Sequence, residues 1–458
     1  MTDTHFRVLD EQKLSAFHWR AILVTGLGVF CDGYDISSVS LVLSQVVSFY
    51  HVAKHDIPIM KGSLTAMALI GSMVGAAAFG LLAQKGRKRF YGLDALILGV
   101  GALAQAFMPN VWALVACRFV LGIGVGADYV LSPTIMAEHA NRADRGKAIG
   151  LGFGTMWPIG ALAAALLNLL LVSFHISPDV IWRVVLAGGC IPALGVMYFR
   201  RKMPESARFL ARVAADQVQA QAAIVAVSGD ASAPPPAVDT RPVLGLLRQN
   251  ARNILAGAVL WMVYDLVVYA TILFGPDIIA QNLGIRPEIY QIETELIFTI
   301  PPSILFSWFL LDRFGRKPVQ VWGFVAGAVI LVMFAWMRAT VGIPALAAYL
   351  VYGLFNVAQT GPGLVSGAGV YGVELAPTRI RSIAQSITVI GGRIGAATAG
   401  FLFPLLNARF GFVATILGLA GLSLLGGILS QLLVPETGSR SLEEINQESA
   451  PAGLRSAA

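Results

Sequence analysis

The sequence predicts an all-α polytopic membrane protein with twelve transmembrane helices in two pseudo-symmetric halves of six. Three observations carry that prediction. Of 458 residues, 56% are hydrophobic and only 13% charged, with a mean hydropathy of +0.71, whereas a soluble domain carries about 25% charged residues. Twelve apolar stretches approach the roughly 20 residues that cross a bilayer as a helix. Short polar motifs recur in the same order at a nearly constant offset, so the second half repeats the plan of the first.

The apolar stretches are 21–43, 60–83, 92–108, 112–137, 147–173, 181–199, 251–275, 293–311, 318–337, 342–368, 382–406 and 410–433. Spans one to six form an N-terminal half over 21–199 and spans seven to twelve a C-terminal half over 251–433, between tails at 1–20 and 434–458. The one long polar stretch, 200–250, contains SGDASAPPPAVDT. Rich in Pro, Ala and Ser without periodicity, it reads as a linker, part amphipathic helix and part disorder. No alternating-polarity segments of about ten residues mark an outer-membrane barrel.

Positive residues are retained on the cytoplasmic side of a membrane. With the N-terminus inside, 25 of the 33 Lys and Arg residues fall in the tails and inner loops and six in the outer loops. Both termini are therefore expected in the cytoplasm, with the chain in a plasma membrane, the inner membrane of a bacterium. The N-terminal tail lacks an apolar core, so no leader is expected to be removed. The net charge of +7 is accounted for by these loops and does not call for nucleic acid. Cys31, Cys117 and Cys190 sit in apolar runs and make no disulfide framework. No zinc spacing, phosphate-cradling loop or nucleophile triad appears. The expectation is a non-enzyme without metal or organic cofactor, acting as a monomer, with protons as the coupling ion.

Gly86-Arg87-Lys88 after span two matches Gly315-Arg316-Lys317 after span eight at offset 229, and Pro204-Glu205-Ser206 matches Pro435-Glu436-Thr437 at offset 231. Glu138 corresponds to Glu374 at offset 236. Such a repeat is the architecture of transporters whose site lies between two halves at mid-membrane. These motifs resemble those of the major facilitator superfamily over nearly the whole chain. DRFGRKP (312–318) is similar to its conserved loop, whereas AQKGRKR has Gln84 at the acidic position and is one residue short. PESARFL (204–210) and PETGSRSLEEI (435–445) look like motifs of its sugar-porter and phosphate-symporter branches. Gly86, Arg87, Asp312, Arg313, Gly315 and Arg316 are accordingly assigned to gating, because Arg and Lys at helix ends interact with terminal carbonyls and acidic neighbours.

Ionisable residues inside spans are costly and mark functional candidates. Those noted are Asp32 and Asp35 in span one, Arg118 and Asp128 in span four, Asp265 in span seven and Arg393 in span eleven. Asp35 and Asp265 are related by the same repeat offset, so the two helices are expected to present them from equivalent positions. The alternative is that each carboxylate only ties helices together. In RFVLGIGVGADYVLSPTIMAE (118–138), Gly122, Gly124 and Gly126 let a neighbouring helix approach closely, and Asp128 and Tyr129 fall at about mid-depth. Trp261, Asp265 and Tyr269 are spaced by four and share one helix face. Trp157 either lines the cavity or packs.

The 118–138 segment resembles the signature of the phosphate:proton symporter family, departing from it at Ala127, Val130 and Pro133. The resemblance implies that Trp261, Asp265 and Tyr269 surround a bound phosphate. It likewise makes Asp32-Gly33-Tyr34-Asp35 the family's paired acids and Glu374 its acid at the end of span ten. Two places depart. Gly391-Gly392-Arg393-Ile394-Gly395 stands where that family has a Lys, and Gly361-Pro362-Gly363 where it has Gly-Pro-Asn. The Gly-Gly-Arg-Ile-Gly string is more like the aromatic-acid:proton and other organic-anion branches. Arg still suits an oxyanion, since its fork donates two parallel hydrogen bonds, although an ion pair with Asp265 or Glu374 would leave it no free charge.

The expected function is a proton-coupled symporter of a small anion, inorganic phosphate first. Arg393, Tyr129, Trp261, Asp265, Tyr269 and Trp157 would surround the substrate, and Asp32, Asp35, Asp128 and Glu374 would move protons. An aromatic or short aliphatic carboxylate is the second candidate, with Arg393 as its clamp. A sugar porter is disfavoured because span seven lacks the paired glutamines of that branch, and a nutrient sensor of this fold would be expected to carry a long signalling tail.

Overall fold

In a bilayer each backbone N–H and C=O must find its partner inside the protein, which leaves the helix as the form these apolar runs can take. The computed structural model describes residues 6–229, 238–340 and 343–448. The first half comprises α1 (Ala16–Phe49), α2 (Ile57–Leu82), α3 (Leu93–Gln105), α4 (Val111–His139), α5 (Arg145–Ser173) and α6 (Pro178–Arg201). The second comprises α7 (Val243–Phe274), α8 (Pro287–Phe314), α9 (Arg316–Ala339), α10 (Ala345–Pro362), α11 (Arg381–Phe410) and α12 (Phe412–Leu433). Ten are long and apolar enough to cross a membrane. The other two are α3, with 13 residues, and α10, which carries Asn356, Gln359 and Thr360.

Burial sets α1, α4 and α7 apart from the rest. The apolar window of α1 is 83% buried and those of α4 and α7 are 72% buried, against 39% for α12. Within the halves α2 packs on α4, α1 on α5, α7 on α11, and α9 on α10 and α12. The halves meet where α2 lies against α11 and α5 against α8. Since α8 repeats α2 and α11 repeats α5, these are one contact made twice. The glycines of α4 act as expected: a Cβ on Gly122 or Gly126 would strike the α2 backbone at Ala68 or Ser72, and one on Gly124 the α3 backbone at Asp94 and Leu98. π-helical turns at Gly150–Thr155 in α5, Thr294–Thr299 and Phe306–Leu310 in α8 and Gly363–Gly367 after α10 break the ladder beside the space between the halves. Such turns often accompany functional sites.

The polar stretch between the halves, expected as a linker that is part helix, is helical in part. It holds helices Ala207–Arg212 and Gln217–Ser228, and α7 begins inside it at Val243. Residues 230–237, with the proline run, and the tail beyond 448 lie outside the described residues. Arg208 fastens both tails, donating to Asp10 at 2.7 Å, to Glu443 at 2.8 Å and to the Glu138 carbonyl at 2.6 Å. Burial, with the neighbouring Glu443, pushes the Asp10 carboxyl up to about 6 despite Arg208. At Glu443 burial acts in the same direction, but Arg208 and Arg212 outweigh it and hold that carboxyl at about 2.

Candidate functional site

At the end of the bundle that carries the termini, the repeated motifs interlock. Gly86 and Gly315 have φ of 125° and 93°, backbone that only glycine adopts readily, and each starts a new helical turn. The first amides of those turns need acceptors. Glu205 accepts from the Lys88 N–H at 3.0 Å, while Glu436 accepts from those of Arg316 and Lys317 at 2.9 and 3.0 Å. The Pro-Glu-Ser and Pro-Glu-Thr motifs thus cap the helices opened by Gly-Arg-Lys.

Two buried clusters join the halves at this end. Glu138 takes Arg87 and Arg381, both at 2.8 Å, and Glu374 takes Arg145 at 2.7 Å and Arg316 at 3.3 Å. Each carboxylate therefore holds one arginine of its own half and one of the other. Asp312 accepts from the N–H groups of Gly146 and Lys147 at 3.0 and 2.7 Å and pairs with Arg316 at 2.8 Å, so the end of α8 holds the start of α5. Gln84, in the degenerate copy, makes a neutral contact instead, donating to the Ser382 hydroxyl at 2.7 Å. Arg313 lies over the Phe314 ring and has no ion pair among the described residues. Arg145 and Arg381 were not singled out from sequence, although they are related by the same offset as Glu138 and Glu374.

Two of the noted acids are tied inside the N-terminal half. Asp35 pairs with Arg118 at 3.1 Å, and Arg118 also donates to Gln105 at 2.8 Å and to the Leu64 carbonyl at 2.6 Å, joining α1, α2, α3 and α4. Asp128 accepts from Arg200 at 2.6 Å, an arginine that also takes Asp94. Asp265, by contrast, lines the space between the halves. The equivalence expected of Asp35 and Asp265 holds for their helices and not for their surroundings. A slip of one residue rotates a helical side chain by about 100°, and the motif offsets run from 229 to 236.

The central space is lined by Tyr129 of α4, Trp157 of α5, Trp261, Asp265 and Tyr269 of α7, and Arg393 of α11. The spacing of four along α7 places its three side chains there together. Arg393 bridges the halves: Nη1 donates to the Tyr269 hydroxyl at 2.5 Å, Nε to the Ser72 hydroxyl at 3.2 Å, and Nη2 lies 3.5 Å from Asp32. Its guanidinium stands 4.2 Å from the centre of the Tyr129 ring. The nearest acid is thus Asp32, not Asp265 or Glu374. Among the described residues, Nη2 of Arg393, though 3.5 Å from Asp32, and Oδ2 of Asp265 find no hydrogen-bond partner. An unmet buried donor costs about 1–3 kcal/mol, which a bound oxyanion would offset. The place left by Gly363 is bordered by the Tyr264 hydroxyl.

A stripe on α8 went unread in the sequence. Gln291, Glu295, Thr299 and Ser303, spaced by four, all line the same cavity. The apolar stretch reads as starting at 293, whereas α8 starts at Pro287, which sets Glu295 about two turns inside the helix. The spacing of polar residues by four was the available signal.

Comparison with known proteins agrees with this architecture. The family described as "Sugar (and other) transporter" matches residues 21–448. An Arabidopsis thaliana protein named "Probable inorganic phosphate transporter 1-6" is 30% identical over 505 residues, covering 98% of this chain and 97% of that one. The Oryza sativa subsp. japonica protein named "Inorganic phosphate transporter 1-6" is 29% identical, covering 98% and 96%. Among solved structures, the major facilitator proton:xylose symporter XylE bound to 6-bromo-6-deoxy-D-glucose superposes with a TM-score of 0.81 at 22% identity, over 95% of this chain and 99% of that one. The partially occluded inward-open form of XylE from E. coli gives 0.70 at 21% identity, over 92% and 99%. These likenesses bear on the fold.

Proposed function

Because the chain belongs to the sugar (and other) transporter family of the major facilitators, we propose that it is a proton-coupled symporter of a small anion, with inorganic phosphate as the first substrate. The single observation that carries this reading is Arg393: a buried guanidinium between the halves whose Nη2, 3.5 Å from Asp32, makes no hydrogen bond among the described residues, beside Tyr129, Trp261, Asp265 and Tyr269. Relatives near 30% identity named as phosphate transporters support the choice of anion. Asp32, 3.5 Å from Arg393, would exchange a proton as the anion arrives. Asp35 and Asp128 would release or take protons as their ion pairs with Arg118 and Arg200 open and close.

Alternating access follows from the two clusters. Opening the end that carries the termini requires parting Glu138 from Arg381 and Glu374 from Arg145, so Glu374 belongs with Arg87, Asp312 and Arg316 in the gate. In this reading the end that carries the termini faces the cytoplasm, which its excess of Lys and Arg supports, in a bacterial inner membrane, and the protein works as a monomer with protons as its only coupling ion.

An aromatic or short aliphatic carboxylate is the second reading, favoured by Trp157, Trp261, Tyr264 and Tyr269 lining the same cavity. Uptake of radiolabelled phosphate into proteoliposomes under a pH gradient, competed with benzoate or nicotinate, separates the two. Competition by excess unlabelled phosphate alone is expected, and uptake of labelled benzoate with no phosphate uptake would overturn the first reading.

A further inference from the structure

Among the described residues, most carboxylates buried in or at the ends of the helices α1–α12 lie within 4 Å of an arginine: Asp32, Asp35, Asp94, Asp128, Glu138 and Glu374 all do. Asp265 and Glu295 do not, and both line the central cavity. Asp265 at least faces Arg393 there. Glu295 is 4% exposed, and its turn packs against α5, α10 and the rest of α8. Met156–Ser173 of α5 contains no titratable residue. From α10 come only Tyr349 and Tyr352, and from the start of α8 Glu288, Tyr290 and Glu293. Across the cavity stand Tyr264, Asp265 and Tyr269 of α7 and Arg393 of α11.

An ionised carboxylate held there without a cation would cost several kcal/mol and would repel an anion in the same cavity. The neutral acid has neither penalty. Gln291 donates to Oε1 at 2.7 Å, and among the described residues Oε2 has no hydrogen-bond partner; protonated, that oxygen becomes a donor. The turn carrying Glu295 is π-helical, Thr294–Thr299. The polar stripe continues through Thr299 to Ser303, whose hydroxyl donates to Thr155 of the other half at 3.1 Å.

We propose that Glu295 is a proton-binding site of the cavity, whose proton crosses the membrane together with the anion. The proposal rests on the reading of the protein as a proton-coupled anion symporter and adds one proton to each cycle. In proteoliposomes with a pH gradient of one unit, each coupled proton raises steady-state accumulation about tenfold. Glu295→Gln, which keeps the shape and neutrality of the protonated acid, should therefore accumulate labelled phosphate about tenfold less than the wild type. Exchange of labelled for unlabelled phosphate, which needs no net proton movement, should stay within about twofold, and Glu295→Asp should restore accumulation. Equal accumulation by Glu295→Gln and wild type would overturn the proposal. Loss of exchange as well as accumulation in both variants would also overturn it, since that is what a packing role produces. Failure of the wild type to accumulate phosphate or benzoate under the same gradient would instead overturn the reading beneath it.

Discussion

Asp35 and Asp128 in the N-terminal half lie 3.1 and 2.6 Å from arginines of their own half, Arg118 and Arg200. Asp265 and Glu295 in the C-terminal half line the cavity without an ion pair among the described residues. The two halves share a helical plan but not a distribution of charge. In the first, Asp35 pairs with Arg118 and Asp128 shares Arg200 with Asp94, contacts that brace three or four helices, so proton exchange there would require the brace to open. In the second, the acids face the space an anion would enter, with Arg393 the cation that lines it.

The largest expected effect falls on Arg393, where the two halves share one cation. A hydrogen bond to a charged group is worth about 1.5–3 kcal/mol, so Arg393→Ala should weaken anion binding by about 100-fold. Arg393→Lys should largely keep phosphate, which the point charge of a Lys can still bind, and should lose a carboxylate that needs the planar fork. Calorimetry with phosphate and benzoate on both variants reads this out. Unchanged affinity in Arg393→Ala would remove Arg393 from the site.

Next come the braced acids. Asp35→Asn and Asp128→Asn should each abolish accumulation driven by a pH gradient while the protein remains folded, since an amide cannot titrate. If both variants still concentrate phosphate against its gradient, the proton role of the N-terminal half is wrong.

A stability measurement sharpens the contrast. Arg118→Leu strands Asp35 and should cost about 3–5 kcal/mol, with much of it recovered in the double variant Arg118→Leu, Asp35→Asn. Asp265→Asn, which strands no cation, should change stability by less than about 1 kcal/mol, within the range of substitutions that break no buried pair. Equal losses at both sites, followed by thermal unfolding in detergent, would erase the distinction between the halves.

The smallest effect is at the tails. Asp10 has its carboxyl raised from 3.8 to about 6, so its contribution to stability is present below pH 3.8 and is lost as pH rises through about 6. Glu443, lowered from 4.5 to about 2, contributes above pH 4.5 and loses that contribution as pH falls toward 2. Asp10→Asn should therefore unfold at a higher temperature than the wild type at pH 8 and at nearly the same temperature at pH 4. A lower midpoint at pH 8 would show that the ion pair with Arg208 outweighs the burial of Asp10.

The apolar runs, the duplicated motifs and the spacing of Trp261, Asp265 and Tyr269 were legible because they depend on composition and on periods within one helix. Those signals determine that the chain crosses a membrane repeatedly, that its halves repeat and that α7 presents one polar face. They also single out Arg393 and Asp32, since few charges occur within such runs. The tertiary structure alone decided which partner each charge takes. Asp35 and Asp128 turned into their own half, Asp32 met Arg393 of the other half, Asp265 lined the cavity, and Arg145 and Arg381 crossed between the halves to Glu374 and Glu138. One residue of register turns a side chain by about 100°, and the pairing of α2 with α11 and of α5 with α8 brings together segments far apart in the chain. Glu295 shows both limits: its spacing from Gln291 and Thr299 was visible, but its depth depended on where α8 begins, which is set by packing against α5 and α10.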